Sequence, residues 1–251
     1  MPTISDPASC RAALLQKQAV QSVGFNLQRI RVLSWNLQKA QNSEALYQLG
    51  ILSSEMDLVS IQEATLNEAM LGGFPNFPAW SFGPGYQTNR DVTGVMNLSR
   101  FPALTHCVFA STEPWLRTPK ATTVTRYPLQ GSSATVLLVN VHGVNFTFTA
   151  RALAAQLEQF SAMLDSHDGP VVLSGDFNTW SDARLEALKS FATRHQLTLL
   201  GFDVDHRKIV FGHELDHVLV RGIEVLDTSS YEVDTSDHNA LRVELRVTAA
   251  L

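Results

Sequence analysis

Three absences narrow the reading before any motif is considered. There are only two cysteines, Cys10 and Cys107, far apart and without CxxC spacing. A cysteine-based zinc site and a disulfide framework are therefore not implied, and the expectation is two free thiols in a reducing compartment. No run approaches the ~18 apolar residues of a membrane span. Residues 1–27 are broken by Asp6, Arg11 and Lys17 and lack the unbroken apolar stretch of a signal peptide. These features make the expected location cytoplasmic. A basic excess is missing too: the formal net charge is −5, whereas a non-specific duplex-DNA binder usually presents a basic surface. Nucleic acid is disfavoured as a partner unless a local basic patch exists.

The chain does hold the material for a large core. Of 251 residues, 45% are hydrophobic and 17% charged, which excludes a disordered chain. No internal repeat, charge block or low-complexity linker divides it, so residues 29–251 are expected to form a single domain behind an N-terminal extension, residues 1–28. That extension is polar and apolar by turns and is expected to hold at most a partly ordered helix. Strand signals begin at Ile30–Asn36 and recur at Asp57–Glu63, Ala121–Pro128, Ala134–Val141, Val171–Ser174, Asp216–Val220 and Leu241–Val247. Helical spacing appears at Leu46, Leu49 and Leu52, with Ser43 as cap. It appears again at Leu153, Leu157, Phe160 and Leu164, and at Leu185, Leu188 and Ala192, with Ser181 as cap. Residues 71–103, dense in Gly, Pro and aromatics, read as a long irregular loop or broken edge structure. Strands interleaved with helices fit either a sheet-on-sheet core with outer helices or an open α/β sheet, and periodicity does not choose between them.

The informative pattern is positional. Strand after strand ends in a group able to bind metal or phosphate: Asn36, Glu63, His142, Asp176 with Asn178, and Asp237 with His238. Taken singly, each reads as a strand-end cap or a surface polar group. Taken together, they could be gathered by strand-end turns into one cleft. Asp176 and Asn178 are two apart, so in an extended chain both side chains leave on one side, and Gly175 permits a tight turn or a close approach to a ligand. A carboxylate beside a neutral amide suits phosphoryl transfer: the first orients or deprotonates water, and the second donates to a developing phosphorane oxygen. His238 needs a partner carboxylate to fix its tautomer, and Asp216 is the candidate.

Six segments in order resemble the endonuclease/exonuclease/phosphatase superfamily, which includes DNase I-like nucleases, neutral sphingomyelinases and inositol-polyphosphate phosphatases. They are Ser34-Trp35-Asn36, Ile61-Gln62-Glu63-Ala64, Val139-Asn140-Val141-His142-Gly143, Ser174-Gly175-Asp176-Phe177-Asn178-Thr179-Trp180, Leu215-Asp216-His217-Val218 and Ser236-Asp237-His238-Asn239. The wording around Gly94-Val95-Met96 and His142–Phe146 is similar to a bacterial subgroup. The resemblance implies an α/β (α+β) four-layer sandwich: two mixed β-sheets packed face to face, with helices outside. It implies that Asn36, Glu63 and Asp237 bind metal, Asp176 positions or activates water, and Asn178 is the transition-state donor. It further implies that Asp216 holds His238 as base or phosphate contact, and that His142 touches the phosphate or assists the leaving group.

An all-oxygen set of Asn, Glu and Asp favours Mg²⁺ or Mn²⁺ over zinc. Lys120, Arg126 and Arg151 are candidate phosphate contacts, and Glu113 a candidate partner for His142. The expected activity is a metal-dependent phosphodiesterase of nuclease or sphingomyelinase type, hydrolysing by in-line attack of water. Its partner would be a phosphoester substrate: nucleic acid, a phospholipid headgroup or a small phosphate ester. No obligate protein partner is evident. A phosphomonoesterase for an inositol or sugar phosphate is the alternative, and an inactive binding module on the same fold a remoter one. His213-Glu214-Leu215-Asp216-His217 also matches the H-E-x-x-H zinc-protease signature. That motif needs a helix, and its β-favouring surroundings would set the two histidines ~13 Å apart.

Overall fold

A computed structural model describes residues 2–40, 44–147 and 149–248. In chain order the elements are α1 (Pro7–Leu14), β1 (Ile30–Asn36), α2 (Glu44–Ser53), β2 (Leu58–Thr65), α3 (Glu68–Gly72), β3 (Ala79–Gln87), β4 (Val92–Ser99), β5 (Thr105–Thr112), β6 (Pro119–Pro128) and β7 (Thr135–His142). They continue with α4 (Arg151–Glu158), α5 (Ser161–Asp165), β8 (Val171–Asp176), α6 (Asp182–Arg194), β9 (Thr198–Leu199), β10 (Ile209–Val210), β11 (His213–Glu214), β12 (Asp216–Arg221), β13 (Ile223–Tyr231) and β14 (Ala240–Val247). Two six-stranded sheets result, in the orders β13-β14-β1-β2-β4-β3 and β5-β6-β7-β8-β12-β9. Each is mixed, with one parallel pair at its centre, β1/β2 in the first and β7/β8 in the second.

The layering follows from the period of two along each strand. On β1, Ile30 and Val32 join a core that also takes Val136 and Leu138 of β7, while Leu33 and Trp35 face the cluster holding Leu49 of α2 and Met70 of α3. On β7 and β8, Leu137, Val139, Val141, Val171 and Leu173 pack instead with Leu153, Leu157, Phe160 and Leu188 of the outer helices. Both central strand pairs are thus buried on both faces, which gives a helix–sheet–sheet–helix sandwich.

Between the sheets the apolar core gives way to a polar layer toward one end. Gln62 donates to Asn140 Oδ1 (2.7 Å), Asn140 to Asn97 Oδ1 (2.9 Å), Asn97 to Thr123 Oγ1 (3.1 Å), and Ser174 to Ser60 Oγ (3.0 Å). Gln62 Oε1 is left without a partner.

Several expectations are corrected. Of the two readings of residues 71–103, the irregular loop is set aside for most of its length and the broken edge structure holds: β3 and β4 pair antiparallel, and the bulge at Pro84/Gln87 absorbs the Pro-Gly residues on an edge strand. The single helix expected over Leu153–Leu164 is two, broken where Gln159 and Phe160 bond back three residues to Gln156 and Leu157. Strands β5 and β13 had no strong sequence signal. The Ser43 cap lies outside the described residues, and Ser181 caps α6 by position without a side-chain hydrogen bond.

The two thiols are not free. Cys10 and Cys107 form a disulfide that ties α1 to β5, and Ile4 forms a parallel bridge to Cys107. One of the grounds for a cytoplasmic location is removed with the thiols. Among the described residues no helix is long and apolar enough to cross a membrane. Because the bridge spans 97 residues of chain, the doubly substituted Cys10→Ser/Cys107→Ser protein is expected to lose about 2–4 kcal/mol of stability. Urea unfolding with and without reductant measures this.

Candidate active site

Sheet register builds the site. His142, Asp176 and Asp216 lie side by side on β7, β8 and β12, with Asp176 the Cα partner of both. Gly175 permits this close packing. Its φ is +144°, and a Cβ there would meet the Val141 carbonyl oxygen at 2.0 Å. The close approach is to a neighbouring strand. From the facing sheet, Asn36 at the end of β1 donates to Asp176 Oδ2 at 3.0 Å.

Around that oxygen the other groups gather. Asn178 Nδ2 lies at 3.3 Å, His142 Nε2 at 3.8 Å and His238 Nε2 at 4.0 Å. Asp176 and Asn178 do not converge by extended geometry. The strand ends at Asp176, and Asn178 adopts φ +51°, which turns its backbone N–H onto Asp176 Oδ1 (2.9 Å) and its side-chain amide onto the Gly143 carbonyl (3.0 Å). Glu63 shows a similar device. A register shift in the β2/β4 pairing and a φ of +52° re-aim its side chain, which reaches to 3.6 Å from His142 Nε2.

His238 Nδ1 is 2.7 Å from Asp216 Oδ2, the pairing expected from sequence. Burial opposes a charge on this imidazole, but the Asp216 and Asp176 carboxylates outweigh it and raise the pKa to about 10. Burial, then the Asp216 charge working against His238, raises the Asp176 carboxyl. His142 goes the other way: burial and then the Lys120 ammonium hold it well below the usual histidine range. A neutral His142 can accept from Lys120 Nζ, which sits 2.7 Å from its Nε2. Ligand atoms of Asp176, Asp216 and His238 all lie within 4.8 Å of one another, a group able to hold a metal ion.

Not every candidate is brought in. Asp237 is 46% exposed and 3.8 Å from Lys208, outside the buried cluster. Arg126 is no phosphate contact: it is buried and donates to the carbonyls of Leu14 and Gln16, anchoring the N-terminal segment. Arg151 is exposed at the first residue of α4. Glu113 does not orient His142. It accepts from Asn145 N (2.8 Å) and Thr118 Oγ1 and lies 3.9 Å from Lys120. The H-E-x-x-H decoy is extended, as its context predicted; His213 lies near Asp182 and His217 bonds Thr179.

Sequence reasoning missed three supports. Arg184 is buried and ties the loops after β7 and β8 together through Asn178 O (2.5 Å), Thr147 Oγ1 (2.9 Å) and Val144 O. Its spacing of four, seven and eight from Leu188, Phe191 and Ala192 placed it on the buried face of α6 and was the available signal. Trp35 Nε1 donates to the His238 carbonyl (2.8 Å). Lys39 lines a cleft of about 250 Å³ with Glu63, Lys120 and His142.

A family model described as the Endonuclease/Exonuclease/phosphatase family matches residues 25–238. The chain belongs to that family. It is 36% identical over 218 residues to a UPF0294 protein of Yersinia pseudotuberculosis serotype O:1b (strain IP 31758), covering 86% of this chain and 84% of the relative. A UPF0294 protein of Yersinia pestis matches equally well. Among solved structures, an endonuclease/exonuclease/phosphatase from Beutenbergia cavernae superposes with a TM-score of 0.68 at 18% identity, covering 88% of this chain and 72% of that one. The human Nocturnin catalytic domain with bound sulfate does so with 0.68 at 17%, covering 90% and 97%. Sphingomyelinase C from Streptomyces griseocarneus gives 0.60 at 17%, covering 86% and 99%. These likenesses show that the sandwich is the family's fold.

Buried neutral histidines tie the fold to pH. Burial, reinforced by Arg207, lowers the pKa of His217 to about 3, and burial lowers that of His167 to about 4, both from 6.5. The unfolded chain binds these protons first, so their stabilisation is present above pH 6.5 and is lost as pH falls through the folded values. Urea unfolding between pH 7 and about 4 should show stability decreasing, with a shallower slope in His167→Gln.

Proposed function

We propose that this chain is a divalent-metal-dependent phosphodiesterase that cleaves its substrate by in-line attack of water. The observation that carries the reading is the convergence of Asn36, His142, Asn178 and His238 within 4.0 Å of one Asp176 oxygen. Family membership supports a phosphoester hydrolase. The relatives in fold include a sphingomyelinase and the endonuclease domain of the retrotransposon TRAS1, so diesters of either kind suit the scaffold.

In this reading Asp176 orients the attacking water and takes its proton, and its burial-raised pKa makes it a better base than an exposed carboxylate. Asn178, held by Gly143 and by the Arg184 bridge to its carbonyl, donates to the developing phosphorane oxygen. His238, kept protonated by Asp216, donates to a second phosphoryl oxygen. Lys120, seated between His142 and Glu113, adds positive charge at the phosphate, and neutral His142 holds it there.

A cation fits the residues present. Glu63 supplies an oxygen donor beside two buried carboxylates, Asp176 and Asp216, whose mutual repulsion a dication would relieve, and Asn36 would add its Oδ1 by turning an amide that now accepts from Gln38 N and donates to Asp176. Mg²⁺ or Mn²⁺, when bound there, would offset charge on a phosphoryl oxygen. Asp237 could join only by leaving Lys208. We further take residues 29–251 as one catalytic domain. The disulfide supports an oxidising compartment over the cytoplasm.

Hydrolysis of bis-p-nitrophenyl phosphate with Mg²⁺ or Mn²⁺ tests the reading. Asp176→Asn and His238→Ala should each lower turnover by about a hundredfold or more while circular dichroism stays unchanged, and chelation should abolish it. Near-normal rates in either variant would overturn the roles. Absence of any phosphoester cleavage by the metal-loaded protein would favour an inactive binding module.

A further inference from the structure

Of the eight non-glycine residues with positive φ among those described, all but Gln196 lie in or beside the site or at its mouth. Lys39, Glu63 and Asn178 belong to the site, and Gln38 adjoins it, its backbone N–H donating to Asn36 Oδ1. Arg117, Phe146 and Phe211 sit in three loops at the mouth, where left-handed backbone is costly for bulky residues. Each loop shows an apolar side chain to solvent: Leu116 beside Arg117, Phe146 itself and Phe211 itself.

The hairpin of β10 and β11 is the clearest case. Val210 pairs with His213, so Phe211 and Gly212 form a two-residue turn, with φ of +52° and +85°. That is the type I′ pattern, whose favoured first residue is Asn or Asp. A phenyl ring stands there instead, 83% exposed, with Ile209 exposed beside it. Folding of the hairpin does not ask for this ring. It meets Trp180 edge-on at 6.3 Å, Trp180 donates to Asn145 Oδ1, and the Phe146 backbone N–H donates to the same oxygen. The Phe211 and Phe146 tips are thus linked, and Phe146 shares the lining of one cleft with Leu116. The same cleft is lined by Lys39 and Lys120.

A phosphate-handling cleft that opens onto an apolar rim suits an amphiphile. We propose that these loop tips form an interfacial surface that seats on a zwitterionic phospholipid bilayer and admits a headgroup phosphodiester to the cleft. The proposal rests on the phosphodiesterase reading above. Single-stranded nucleic acid fits less well. It needs free cations along its backbone as well as aromatic faces for stacking, and the rim mixes aliphatic Leu116 and Ile209 with its rings. The charges beside the hairpin include the fully exposed Asp182, and Arg207 is engaged by Asp205. With a net charge of −5, an anionic surface would be repelled.

Flotation of the full chain with phosphatidylcholine vesicles tests this. The comparison is with Ile209→Thr/Phe211→Asn, which keeps a β-branched residue in β10 and creates the favoured Asn-Gly turn. The wild type should co-float, and vesicles of brominated phosphatidylcholine should quench its tryptophan fluorescence through Trp115, exposed in the same loop as Leu116. The variant should bind vesicles at least about tenfold more weakly, unfold at no lower temperature, and hydrolyse soluble bis-p-nitrophenyl phosphate within about twofold of wild type. Wild-type protein that neither floats nor is quenched overturns the proposal. So does a variant that binds as well as wild type, or binding confined to single-stranded oligonucleotide or to anionic vesicles. Vesicle binding without diester cleavage would leave the surface standing and remove the phosphodiesterase reading.

Discussion

The structure depends on the register between its two sheets, and that register is held by a buried polar layer. Apolar faces alone attract without direction. The Gln62–Asn140–Asn97–Thr123 chain and the Ser60–Ser174 contact are directional. A slip of one sheet over the other would orphan several buried amides, each at a cost of about 1–3 kcal/mol. The layer sits one step below the reactive groups on the same strand faces: Ser34 below Asn36, Asn140 below His142, Ser174 below Asp176. Holding it in place brings Asn36 of one sheet within 3.0 Å of Asp176 on the other.

Strain is concentrated where that ordered layer ends. Glu63, at the register shift within β2, and Asn178, just past the end of β8, have left-handed backbones, and both thereby turn toward the groups around Asp176. Supports beyond the strands resist relaxation. Arg184 pins the loops after β7 and β8 to each other, and Trp35 pins the loop of His238 to the first sheet. A site assembled from strand ends is loose unless such ties exist, because loops are otherwise the most mobile part of a sandwich. The electrostatics follow from the same packing. Close carboxylates keep His238 charged against its burial, whereas burial and then the Lys120 ammonium keep His142 neutral, so two imidazoles in one pocket take opposite states.

Much of this was legible in the chain itself. The strands that carry Asn36, Glu63, His142, Asp176 and Asp216 announced themselves by short apolar runs, and the polar residue at each end marked a site because strands are straight and their ends cluster. The pairing of Asp216 with His238 was expected because a histidine of this kind needs a carboxylate and because the resemblance to the family implies it. Strand ends, residue chemistry and the spacing of motifs are properties of local sequence, and local sequence determined them.

Tertiary structure decided the rest. Whether Cys10 meets Cys107 depends on where the N-terminal helix docks, across 97 residues of chain. Arg126, a plausible phosphate contact by type and position, was instead used to hold that docked segment. Asp237 and His238 are neighbours in sequence, yet one turn sends the first outward to Lys208 and the second inward to Asp216. Glycine, proline and aromatic residues over 71–103 read equally as a loop or as broken edge structure, and pairing with β4 chose an edge strand. In each case the outcome turned on long-range contacts whose free energy exceeds any local preference.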